Sequence, residues 1–113
     1  MKKLIFIVIL VMTFMVLVAQ EGGFRGPRAE AITVEQAKTL RDDAAIILRG
    51  YIEKSLGNER YLFSDETGSI TIEIERKVWG SLTVDENDLI EISGEIDREW
   101  NRIEVEVKTI TKL

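Results

Sequence analysis

The chain has 113 residues, a formal net charge of −5, and neither cysteine nor histidine. That length implies one domain, and the missing cysteine excludes a disulfide framework, a thiolate nucleophile and a cysteine-held metal. The missing histidine removes the commonest general base and metal ligand, so the serines have no partner for nucleophilic catalysis and no catalytic residue is expected.

Lys2 and Lys3 precede an apolar run from Leu4 to Val18, broken only by Thr13, and Ala19 suits a cleavage position. This is the layout of a secretory signal peptide over residues 1–19, shorter than the roughly twenty apolar residues that span a bilayer. Cleavage before Gln20 would leave contact with the membrane only during export. Lipoprotein processing is excluded for want of a cysteine. Without Lys2 and Lys3 the chain keeps 13 basic and 20 acidic side chains, a net charge of about −7. Export of a cysteine-free chain fits a protein of the bacterial envelope.

Residues 20–32 read as a flexible leader, with three glycines, the only proline and no periodicity. Phe24 is its one large apolar residue. The leader is either a disordered arm or an arm that docks Phe24 on the folded domain or on a partner. The folded domain is expected over residues 33–113. Thr33 and Gln36 form a capping-box pattern behind Ile32, and Val34, Ala37 and Leu40 share a helical face. A helix of about nine residues is predicted, closing at Arg41 before Asp42-Asp43.

Period-two alternation then predicts strands. The first covers Ile46 to Glu53, with Ile46, Leu48, Gly50 and Ile52 inward and Arg49, Tyr51 and Glu53 outward. Gly50, mid-strand, marks a bulge with positive φ or the close approach of another backbone, as a barrel closure needs. The second strand carries Tyr61 and Phe63 inward and Leu62 outward. Asp65 to Gly68 reads as a hairpin turn with Gly68 at positive φ. Ile70, Ile72 and Ile74 face inward on the third strand against Thr71, Glu73 and Glu75. Val78 and Trp79 plug one barrel end, and Thr83 with Glu86 predicts a single helical turn. Leu89 to Asp97 forms the fourth strand, with Ile90, Ile92, Gly94 and Ile96 inward. Ile103, Val105 and Val107 carry the fifth, with Glu104, Glu106 and Lys108 outward. The fold expected is all-β, a five-stranded OB-fold barrel with a short N-terminal helix.

Several short motifs, in this order and spacing, resemble the bacterial OB-fold family. They are Phe24-Arg25-Gly26-Pro27 after two glycines, Asp42-Asp43, Leu48-Arg49-Gly50, Tyr61-Leu62-Phe63 with Asp65 and Thr67-Gly68, Val78-Trp79-Gly80, and Ile92 to Asp97 with Trp100. The resemblance covers nearly all of the chain after residue 19. It implies a periplasmic OB-fold domain linked to tolerance of envelope, oxidative or acid stress, without enzymatic chemistry.

OB barrels commonly bind on the outer face of their second and third strands and on the adjoining loops. The candidate ligand-binding residues are therefore Arg49, Tyr51, Leu62, Ser64, Thr71, Glu73 and Trp100. Trp100 is either a stacking platform or a clamp against its own sheet. The face is acidic where nucleic acid would need clustered Lys and Arg, so no nucleic-acid partner is expected. No cofactor or metal site is expected, although the acidic face could attract cations. The ligand expected is a small molecule, a cell-wall component or an envelope protein, held by a monomer. The other reading is an adaptor or chaperone-like protein that docks a partner through residues 20–31.

Overall fold

The computed structural model describes residues 30–113. The expected signal peptide and residues 20–29 of the expected leader lie outside that span. Ala31 and Ile32, assigned to the leader on sequence, form a short strand β1 (Ala31–Ile32). There follow α1 (Val34–Ala37), β2 (Ala45–Gly57), β3 (Arg60–Asp65), β4 (Gly68–Glu73), α2 (Arg76–Trp79), β5 (Ile90–Glu99) and β6 (Arg102–Lys112). Strands β2 to β6 close into the expected five-stranded barrel, and β1 adds in parallel to the outside of β2.

Closure takes place on β2. From Ala45 to Gly50 this strand pairs antiparallel with β5, and from Tyr51 to Gly57 with β3. A parallel β4–β6 pairing completes the circuit. Gly50 stands at the hand-over. A β-carbon there would run into the Ser64 carbonyl oxygen and the Phe63 ring. Close backbone approach is thus the reason for this glycine. It does not have positive φ, and the irregularities of β2 come later, between Ile52 and Lys54 and between Ser55 and Gly57.

The inward faces are those the alternation predicts. Ile46, Leu48, Ile52, Phe63, Ile70, Ile72, Ile74, Ile90, Ile92, Ile96, Val105 and Val107 are buried and form one core with Val34 and Ala37. Each fully buried Ile or Leu side chain contributes roughly 2 kcal/mol. Tyr61 is only half-buried, its ring edge-on to Trp79 with centroids 5.6 Å apart. Val78 and Trp79 pack against the core from α2, as expected of a plug.

Three local expectations change. The first helix is four residues long instead of nine. Its capping box is complete: Gln36 N donates to Thr33 Oγ1 at 3.1 Å and Thr33 N to Gln36 Oε1 at 2.9 Å. It ends early because Arg98 of β5 donates to the carbonyls of Lys38 and Leu40, while the Arg98 backbone N donates to Asp42 Oδ1 at 2.8 Å. Those carbonyls find their partners outside the helix, so no further turn is needed. Gly68 does not take positive φ. Asp65 makes the turn instead, its Oδ1 accepting from the backbone N of Thr67 and of Gly68. Thr83 to Glu86 forms no helix; the segment closes in a turn in which Asp85 N donates to Asp88 Oδ2 and Asn87 N to Asp85 Oδ1, both at 2.8 Å.

Candidate functional site

Register places six of the seven predicted binding residues along the outside of β2, β3 and β4. Tyr51 lies opposite Ser64, and Leu62 opposite Thr71. Glu73 lies opposite Arg60, whose guanidinium reaches its carboxylate at 3.2 Å. Arg49 is on the β5 side of the hand-over, held by Glu91 at 3.1 Å. With Tyr51, Leu89 and the Asp65–Thr67 turn, Arg49 lines an open groove of 380 Å³. Trp100 is apart from these. It sits at the tip of the β5–β6 hairpin and is 95% exposed, so it does not clamp its own sheet.

Asp65 ties the face to the rest of the fold. Its Oδ2 accepts from Val34 N at 2.8 Å, and the Thr67 hydroxyl accepts from Glu35 N at 3.1 Å. The β3–β4 turn therefore caps the first turn of α1 from outside. Burial alone would raise the Asp65 carboxyl. The hydrogen bonds from the Thr67 hydroxyl and from the Val34, Thr67 and Gly68 amides outweigh it and hold the carboxyl below its usual range.

Sequence reasoning missed Arg60, Arg102 and the role of Glu104. Glu104 points outward as expected, yet it is only 4% exposed. Arg60 Nε donates to its two carboxylate oxygens at 3.0 and 3.3 Å, and Arg102 Nε approaches at 3.5 Å. The hydrogen bond and charge of Glu104 raise the Arg60 guanidinium above its ordinary value. A buried carboxylate is costly unless paired, and here two guanidiniums cover it. Arg60 begins β3 just after the β2–β3 loop, and Arg102 begins β6 just after Trp100. Glu104 thus holds together the two loops that flank the face. Opposite it on β5, burial and then the carboxylates of Glu99, Asp42 and Glu104 hold Asp97 above its usual range.

Two further acids of the barrel's outside are also engaged, Glu106 by Lys108 at 2.9 Å and Glu75 by Lys77 at 3.4 Å. Among the described residues no group of three or more Asp or Glu side chains is placed to hold a metal ion. No buried polar side-chain atom among them lacks a hydrogen-bond partner.

The profile of a family described as "Bacterial OB fold (BOF) protein" matches residues 15–112. The chain is 44% identical to the protein YgiW of Escherichia coli K12, over 87% of this chain and 85% of that one. It is 30% identical to the calcium-regulated OB-fold protein CarO of Pseudomonas aeruginosa, over 78% of each. The solved structure of the hypothetical protein ygiW from E. coli superposes with a TM-score of 0.74, covering 81% of this chain and 99% of that one. None of these names is that of an enzyme.

Proposed function

The chain belongs to the bacterial OB fold family, and on that premise we propose that it is an exported, non-enzymatic binding protein that contributes to tolerance of envelope, oxidative or acid stress. Its ligand is a small molecule, a cell-wall fragment or an envelope protein, taken up on the outer face of β2–β4. The observation that carries this reading is Trp100. A tryptophan 95% exposed at a hairpin tip has no part in packing the fold, and the Arg102–Glu104–Arg60 bridge fixes the tip end of the hairpin beside the face. Exposed aromatic rings in loops are natural platforms for sugar rings and peptides.

A melting-temperature screen with cell-wall saccharides, muropeptides and oligonucleotides tests this, since a ligand that binds the folded state adds RT ln(1 + [L]/Kd) to stability. Trp100→Ala should leave stability within about 0.5 kcal/mol of the parent, because the ring is solvated. It should also abolish the shift given by whichever ligand scores. A scoring ligand that binds the Trp100→Ala protein equally well would remove the face from consideration, and a salt-dependent shift with oligonucleotides would show that its acidity was misjudged.

The location proposed is the periplasm, after removal of residues 1–19. N-terminal sequencing of the protein from an envelope fraction should begin at Gln20. A sequence beginning at Met1 would contradict cleavage.

A further inference from the structure

The ladder that closes the barrel covers only the first half of β2. Its ladder to β5 ends at the Gly50–Ile90 pair, and from Tyr51 onward β3 is its only strand partner. Among the described residues, no backbone or side-chain group outside β3 hydrogen-bonds the backbone of Ile52 to Ser55. A row of strand donors and acceptors with nothing beside it is a template for another extended chain. Here it opens onto a groove of 370 Å³ formed between β2 and the segment from Leu82 to Glu86. The Tyr61 and Trp79 rings, set edge to face, line it together with Leu82 and Val84.

We propose that this edge and groove form a second docking site, distinct from the outer face, for an extended cationic segment of a partner protein that adds as a strand beside Ile52–Ser55. Main-chain hydrogen bonds supply the affinity of such an addition, and pockets for alternate side chains supply its selectivity. The groove offers apolar lining from Tyr61, Trp79, Leu82 and Val84. Its charged lining is Glu53, Asp85 and Glu86 against Lys54 alone, which favours Lys or Arg on the incoming segment. The register shift between Ile52 and Lys54 kinks the edge. That kink keeps the free template short and guards it against long, unspecific pairing.

The test uses the purified protein and the blocked hexapeptide acetyl-Lys-Val-Lys-Val-Lys-Val-amide. Two controls accompany it, one with Glu in place of Lys and one N-methylated at alternate amides. The cationic peptide should shift the amide resonances of Ile52 to Ser55 and the Trp79 indole, and Trp100→Ala should leave that binding unchanged. N-methylation should weaken binding about tenfold, since each blocked amide loses a ladder hydrogen bond. The double variant Glu53→Lys/Glu86→Lys, altered only at exposed side chains, should weaken it about fivefold without changing the melting temperature. Four results would overturn the proposal. They are no binding at millimolar peptide, equal binding of the Glu or the N-methylated peptide, shifts confined to the outer face, and self-association of the protein through Ile52–Ser55 that excludes the peptide.

Discussion

Gly50→Val is expected to destabilise the protein by about 3 kcal/mol, the upper end of what overpacking a core commonly costs. The reason is the close approach at the hand-over. A β-carbon at this position meets the Ser64 carbonyl oxygen, which belongs to the backbone and cannot rotate away, and also the Phe63 ring. Phe63 is fully buried, so the ring has no empty space to enter. The change therefore has to push β2 and β3 apart where the barrel passes from one pairing to the other. Gly57→Ala makes the comparison. That glycine has φ +83° with nothing within 4 Å of a β-carbon, so its cost is conformational alone, about 1 kcal/mol. Urea unfolding of both variants measures the difference. An unchanged midpoint for Gly50→Val would mean that β2 and β3 do not approach this closely at the closure.

Asp65→Ala is expected to cost about 2 kcal/mol at neutral pH. The carboxylate accepts four hydrogen bonds, from Val34 N, Thr67 N, Gly68 N and the Thr67 hydroxyl. Bonds to a charged group are the stronger kind, and removing the acceptor leaves the α1 amide of the fully buried Val34 without its partner. The effect depends on pH with a definite sign. In the folded state the Asp65 carboxyl is depressed below its ordinary value of 3.8. Its contribution is therefore complete above that value and is lost as pH falls through the lower, folded-state value. The stability gap between parent and Asp65→Ala should stay constant from pH 7 to about pH 5 and narrow below pH 3.8. A gap that widened on acidification would contradict the hydrogen-bonded carboxylate. Asp65→Asn should fall between the two, since one amide oxygen remains to accept while the NH₂ cannot serve Val34 N.

The sequence by itself determined the features that depend on near neighbours along the chain. Alternation put Ile46, Leu48 and Ile52 on one side of β2 and Arg49 and Tyr51 on the other, because successive side chains of a strand must point to opposite faces. Thr33 and Gln36 marked the start of α1, since both halves of a capping box lie within one turn. Gly50 was readable as a point of closure because a strand tolerates glycine there only for a reason, although which reason held was left to the neighbouring strand. What only the tertiary structure decided depends on residues that meet from far apart. Glu104 alternates outward as any strand residue would, and its burial follows from Arg60, 44 positions away, reaching across β4 to cover it. The length of α1 was set by Arg98, which takes the Leu40 carbonyl from 58 positions away and so supplies the partner that another helical turn would have given. Trp100 could be a clamp or a platform on sequence alone, because both place an aromatic ring beside a hairpin turn. The course of the β5–β6 hairpin left it in solvent, and pairing register, which no local pattern encodes, fixes that course.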